Sequence, residues 1–261
     1  MSTSLLELHA VSRHFGGLAA VADLSMEVAA GTVHGLIGPN GAGKSTVFNL
    51  ISGVLPLTSG EIRFKGQRIS GLRPADICRR GIARTFQATT VFSEYTVLEN
   101  LMVAGQPRAD DGTLAALVRS ARYRRGEVMA YERARELLAP FRLDAVANRV
   151  AGSLPHRDQK ALSVAMALAT GAEIVLLDEP LAGLAMQETR DVMDLLRTLR
   201  RRELTVLLVE HDMRAVMGLC DRITVLDHGT RIAQGTPSEV QSNPAVVEAY
   251  LGAAMESEAG G

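Results

Sequence analysis

Cysteine is scarce: Cys78 and Cys220 are the two thiols in 261 residues. They sit in different kinds of segment without metal-ligand spacing, so two ordinary semi-buried thiols and a reducing compartment are expected. Charge imbalance is also lacking, since 28 Lys+Arg against 29 Asp+Glu leave a formal net charge of -1. That excludes a general pull toward nucleic acid or anionic lipid, and any polyanion must be held locally. No apolar run approaches the ~20 residues that cross a bilayer. The first eight residues already include Glu7 and show no basic-then-apolar leader. The expectation is a cytoplasmic chain that meets a membrane only through partners. Internal repeats and long coiled coils are missing as well.

What is present reads as a globular chain, 47% hydrophobic and 22% charged, of a size for one large α/β domain or two lobes sharing a core. Residues 5–11 and 24–28 read as strands, and residues 61–69 as a hairpin turning at Lys65, Gly66 and Gln67. Residues 32–37 form an apolar run ending in a glycine-rich loop, followed by a helix over 45–52 closed by Gly53. Residues 96–170 read as helical, opening on the capping box Thr96-Val97-Leu98-Glu99. The arginines crowded there fit a solvated face or a partner-docking surface. From residue 173 strands and helices alternate: 174–177, a helix near 187–202, strand 205–209, a helix to Cys220, strand 223–226. That alternation implies a parallel sheet covered on both faces. A second capping box with proline, Thr236-Pro237-Ser238-Glu239, opens a last short helix.

Two constellations carry chemistry. Gly38-Pro39-Asn40-Gly41-Ala42-Gly43-Lys44-Ser45 fits G-x-x-x-x-G-K-[ST], with an apolar strand before it and an amphipathic helix after. Its glycines let successive N–H groups curl toward one phosphate, aided by the helix dipole. Lys44 would neutralise β- and γ-phosphates, and Ser45 would ligate Mg²⁺. This loop alone leaves kinases, GTPases and motor ATPases open. The second constellation is the apolar strand 174–177 delivering Asp178 and Glu179 at its C-terminal end, where ligands of an open α/β sheet bind. Asp178 suits a Mg²⁺ shell and Glu179 a general base for an attacking water. The 140 positions between Gly38 and Asp178 enclose a helical block, too much for a small-molecule kinase.

With these motifs the sequence resembles the ATP-binding-cassette (ABC) ATPase family over residues 5–252. Within it, Phe15-Gly16-Gly17-Leu18-Ala19-Ala20-Val21, Phe48-Asn49-Leu50-Ile51-Ser52-Gly53, Glu210-His211-Asp212-Met213 and residues 232–237 and 248–252 look like the ATP-binding subunit of branched-chain amino-acid importers. The resemblance implies an α/β P-loop NTPase with a RecA-like core sheet, an antiparallel β subdomain and an inserted helical subdomain. The divisions implied are residues 1–87 and 171–252 for the core with its β subdomain, 88–170 for the helical insertion and 253–261 for a flexible tail. It implies ATP and Mg²⁺ as cofactors. Nucleotide contacts would come from Phe15 and Val21 at adenine and from Gly38 through Ser45 with Thr46. Gln87 would join Ser45 and Asp178 at the metal, and Lys44, Glu179 and His211 would act in catalysis, His211 as the switch on the γ-phosphate. The partners implied are a second ABC ATPase subunit, two integral-membrane permease subunits and, indirectly, a solute-binding protein, with no nucleic acid. The location implied is peripheral, on the cytoplasmic face of the inner membrane.

One family motif is altered. The signature resembling L-S-G-G-Q falls at Leu154-Pro155-His156-Arg157-Asp158. The family's serine donates to ATP on the opposite subunit, whereas Pro155 has neither hydroxyl nor N–H. Arg157 puts bulk where a glycine lets backbone approach phosphate, although it could reach that phosphate as a charge. Ala185 lacks the acidic residue usual after the carboxylates. The expectation is an unequal heterodimer that hydrolyses ATP on this chain's loop. The alternative is a regulatory partner with weak hydrolysis. A cassette protein of DNA repair or translation fits less well, because the sequence has neither long coiled coils nor tandem cassettes.

Overall fold

The computed structural model describes residues 4–85, 91–105, 121–200 and 204–250, with the side chains of 121–125 and 200 excepted. Two sheets organise these residues. The first is antiparallel, ordered β2-β1-β4-β5, from β1 (Ser4–Phe15), β2 (Leu18–Ala29), β4 (Ser59–Phe64) and β5 (Gln67–Arg68). Its β1–β2 hairpin turns through Gly16 and Gly17, with Phe15 paired to Leu18.

The second sheet is ordered β10-β9-β3-β8-β7-β6, from β3 (Val33–Ile37), β6 (Ile82–Arg84), β7 (Ile174–Asp178), β8 (Thr205–Val209), β9 (Arg222–Asp227) and β10 (Thr230–Gly235). Strands β9, β3, β8, β7 and β6 run parallel, while β10 pairs antiparallel with β9. The wholly parallel sheet expected from the sequence is thus corrected at one edge. A short turn after Asp227 cannot supply the crossover that a parallel neighbour needs.

The central strands are apolar throughout because each face meets a different core. From β7, Ile174 and Leu176 pack with Leu36, Leu207, Val47 and Phe48 against the antiparallel sheet. Val175 and Leu177 join Val33, Ile37, Val206 and Leu208 in the core under the helices. Period-two alternation therefore sorts apolar residues between two cores rather than between core and water.

Eight α-helices fall within the described residues: α1 (Lys44–Ile51), α2 (Pro74–Arg79), α3 (Val97–Gly105), α4 (Ala121–Leu138), α5 (His156–Ala169), α6 (Met186–Arg200), α7 (Met213–Leu219) and α8 (Pro237–Gln241). Both capping boxes form. The Thr96 N–H reaches Glu99 at 2.8 Å and the Glu99 N–H reaches the Thr96 hydroxyl at 3.2 Å, and Thr236 and Glu239 repeat the arrangement at α8. Helices α3 and α4 contribute Val97, Leu101, Ala134 and Leu138 to the core that also holds Val175 and Leu177. Helix α5, with Ala161, Leu162 and Ala165 buried in that core, ties them to the sheet.

Candidate functional site

The glycine-rich loop leaves the C-terminal edge of β3 and is shaped by close approaches that glycine alone permits. Gly38 has φ 151°, and a Cβ there would stand 2.0 Å from the Leu226 carbonyl oxygen of β9. At Gly43, the N-cap of α1 with φ 98°, a Cβ would lie 2.4 Å from the Ala20 carbonyl oxygen. The loop is also laced to its neighbours, since Gly229 N–H donates to Ala42 and Ala22 N–H donates to Gly229. The first-turn N–H groups of a helix lack intrahelical acceptors, so Lys44, Ser45 and Thr46 offer main-chain donors at the positive end of α1. Lys44 Nζ donates to the carbonyls of Gly38 at 2.7 Å and Pro39 at 2.8 Å. Burial holds its ammonium below the usual lysine range, opposed by the charges of Glu179 and then Asp178. Asn40, Gly41 and Ser45 are exposed at the loop's outer side.

Strand β7 ends on the two carboxylates and sends them to different partners. Asp178 is buried, and its Oδ2 accepts from Arg84 Nη2 at 3.0 Å. Arg84, at the end of neighbouring β6, also donates to Asn49 Oδ1 at 2.6 Å and lies over the Phe48 ring. The other oxygen of Asp178, Oδ1, is buried without a hydrogen-bond partner. A buried carboxylate oxygen left in that state calls for a cation or polar ligand, so this atom fits the Mg²⁺ expected of it. Among the described residues no group of three or more His, Cys, Asp or Glu gathers into a metal cage. A single carboxylate beside a phosphate loop is the kind of site that Mg²⁺ uses with substrate oxygens.

Glu179 leaves the strand in the left-handed region at φ 51°, uncommon for a residue with a Cβ and frequent at active sites. The turn aims its carboxylate at His211, whose Nε2 lies 2.6 Å from Glu179 Oε1. His211 follows β8, the strand beside β7, and Asp212 caps α7 by accepting from Arg214 and Ala215 N–H.

The other expected residues are placed as follows. Phe15 stands half-exposed at the β1–β2 hairpin tip, with the Arg13 guanidinium 4.6 Å above its ring, on the hairpin whose Ala20 carbonyl faces Gly43. Val21 is completely buried between the sheets. As placed it presents no surface to a ligand, and the direct adenine contact expected of it is replaced by packing beneath the hairpin. Gln87 lies outside the described residues. At the altered signature, Pro155 N-caps α5 without a side-chain cap, and Arg157 Nη1 meets the adjacent Asp158 at 2.5 Å. Ala185 N–H donates to Glu188 Oε2 at 2.8 Å, which caps α6 without an acidic residue at 185.

Sequence reasoning assigned no role to Arg84, Lys160, Glu210 or Tyr250. Lys160 Nζ donates to the Glu179 carbonyl at 3.2 Å, and Glu210 Oε1 accepts from Leu181 N–H at 2.6 Å. Burial pushes the Tyr250 phenol up to about 12, against a lowering by the Gly38 main chain beside it. Glu210 adjoins the His211 motif, and Tyr250 lies in a stretch already singled out, so position along the chain was their available signal.

Residues 21–182 match the family described as ABC transporter, and residues 230–256 match the branched-chain amino acid ATP-binding cassette transporter family. The high-affinity branched-chain amino acid transport ATP-binding protein LivG of Salmonella typhimurium is 43% identical over 97% of this chain and all of its own length. BraF of Pseudomonas aeruginosa, with the same description, is also 43% identical over 97% of this chain and all of its own. The crystal structure of an ATP-binding cassette of an ABC transporter in its ADP conformation superposes with a TM-score of 0.84 at 32% identity, covering 96% of this chain and all of that one. A nucleotide-free cassette gives 0.82 at 32% identity, covering 95% and 99%. With the glycine-rich loop ending β3, the Asp178–Glu179 end of β7 and His211 against Glu179 on this fold, and with these relatives, the chain belongs to the ABC transporter family and is an ATPase subunit of it.

Proposed function

We propose that the chain hydrolyses Mg-ATP on its own loop to drive import of branched-chain or related amino acids. The observation that carries the catalytic part is the 2.6 Å pairing of Glu179 with His211 at adjoining strand ends. The named relatives and the match of residues 230–256 support the solute class.

In this reading the N–H groups from Gly41 to Thr46 bind the phosphates, and Lys44 turns from the Gly38 and Pro39 carbonyls to the β- and γ-oxygens. Asp178 Oδ1, Ser45 and Gln87 would hold Mg²⁺, which when bound would neutralise charge developing on the phosphates. Glu179 orients the attacking water and accepts its proton, while His211 turns its Nε2–H from Glu179 to donate toward the γ-phosphate. Phe15 stacks on adenine. Residues 88–170 act as a helical subdomain inserted in the core, and Gln87 links it to the site.

Partners and placement belong to the same reading: a second ATPase subunit, two permease subunits and a solute-binding protein, with this chain peripheral at the cytoplasmic face of the inner membrane. No helix among the described residues is long and apolar enough to cross a membrane. Pro155 and Arg157 make the pair unequal, because they face the partner's ATP with neither the hydroxyl nor the bare backbone of the usual signature.

Co-purification of the chain with its membrane subunits, followed by reconstitution in vesicles with ATP inside and the solute-binding protein and labelled leucine outside, tests this. ATP-dependent leucine uptake that stops with Glu179→Gln is expected. Robust ATP hydrolysis without uptake of leucine, isoleucine or valine would reject the solute class.

A further inference from the structure

We propose that Glu210 and Lys160 are positioning residues for hydrolysis, holding the main chain around Glu179 and His211 from behind so that the two side chains meet. The inference rests on the reading of Glu179 as the base. Glu210, buried at the end of β8, uses both carboxylate oxygens on main chain: Oε1 accepts from Leu181 N–H at 2.6 Å and Oε2 from His211 N–H at 3.2 Å. One side chain thus fixes the turn that follows Glu179 and the backbone of the histidine that Glu179 touches. Lys160 of α5 donates to the Glu179 carbonyl at 3.2 Å, and the Glu179 N–H donates to Val209 at 2.9 Å. The peptide groups on both sides of Glu179 are therefore fastened, which suits a residue that must be kept at φ 51°.

The chemistry argues for a positioning role over simple packing. Burial of a carboxylate is costly unless its oxygens are satisfied. Burial raises the Glu210 carboxyl, an effect countered by the Leu181 and His211 N–H groups. Burial likewise lowers Lys160, against the charges of Glu210 and Glu179. Apolar side chains would fill this space without either cost. What Glu210 provides that they cannot is two acceptors at a set separation, aimed at two segments that carry reacting side chains. Lys160 adds a link of another kind, because α5 begins at the altered signature. Movement of that helix against the partner's ATP is passed to the main chain of Glu179 in the same subunit.

The test uses the full chain in its co-purified transporter complex, with kcat, KM and equilibrium affinity for Mg-ATP and a thermal midpoint measured for each variant. Glu210→Gln keeps the shape but leaves one N–H facing an amide NH₂, Lys160→Met removes the donor, and Lys160→Arg restores it. Glu210→Gln and Lys160→Met should each lower kcat about tenfold or more, the scale expected when a reacting group is misplaced. KM and affinity should stay within about twofold and Lys160→Arg should recover most of kcat. If Glu210→Gln does not fold, the Lys160 pair decides. Unchanged kcat in Lys160→Met, or kcat and affinity falling together, overturns the proposal provided that Glu179→Gln abolishes turnover. Turnover retained in Glu179→Gln instead overturns the underlying reading of the base.

Discussion

Glu179 and His211 lie 32 positions apart in sequence, and their side chains meet at 2.6 Å, across the ends of parallel neighbours β7 and β8. Loss of general-base assistance is worth roughly 10²–10⁴ in rate. Glu179→Gln is therefore expected to lower kcat by at least about 100-fold while ATP affinity holds, measured by steady-state phosphate release beside equilibrium binding. His211→Ala should fall in the same direction without weakening ATP binding more than a few fold. Tenfold weaker binding in Glu179→Gln would show that the residue serves the ground state instead.

Asp178 and Arg84 form a buried ion pair, with side chains 4% and 9% exposed. Removing one partner leaves an uncompensated buried charge, which costs about 3–5 kcal/mol. Arg84→Met should lower unfolding stability by that order in a denaturant titration, while Arg84→Lys should lower it less. A change under about 0.5 kcal/mol would mean that solvent or the loop compensates Asp178.

His34 on β3 is held neutral by burial, reinforced by the Arg222 charge, and its pKa is lowered from 6.5 to about 4. Its Nε2 meets Thr224 Oγ1 at 2.8 Å. Between those two values the unfolded chain binds the proton and the folded chain does not, so stability falls as pH is lowered from about 6.5 toward 4 and is regained on raising it. The full effect is about 3 kcal/mol, since one pKa unit corresponds to about 1.4 kcal/mol. Denaturant midpoints across that window should flatten in His34→Gln relative to wild type.

Pro155 and Arg157 can be returned to the family pattern. In the double variant Pro155→Ser, Arg157→Gly the ion pair to Asp158 is gone, and on the proposed reading a hydroxyl and bare backbone would face the partner's nucleotide. ATPase activity of the assembled complex should rise, by up to about twofold if the partner's site had been silent. Unchanged or reduced activity would argue that Arg157 itself serves that phosphate.

Much of this arrangement was legible because it is local. The loop from Gly38 to Ser45 and the Asp178–Glu179 strand end carry their chemistry in consecutive residues. Runs such as 174–177 and 205–209 announce strands buried on both faces. Both capping boxes needed only residues three apart. What stayed hidden depends on distant segments meeting. Nothing near Arg84 reveals Asp178, and nothing near Lys160 reveals the Glu179 carbonyl. Strand β6 has three residues and β10 is a polar edge strand, so neither produced a periodic signal. Resemblance gives Val21 a position along the chain, whereas its pairing with Arg13 in the β1–β2 ladder decides which way the side chain points.

On the proposed reading this chain's own loop is a working hydrolytic site in an unequal pair. The most direct measurement is ATP hydrolysis by the assembled complex, with Glu179→Gln in this chain compared with the equivalent glutamate-to-glutamine change in its partner. Near-complete loss with Glu179→Gln and a minor loss with the partner's change are predicted. Equal losses from the two substitutions would show two equivalent hydrolytic sites instead.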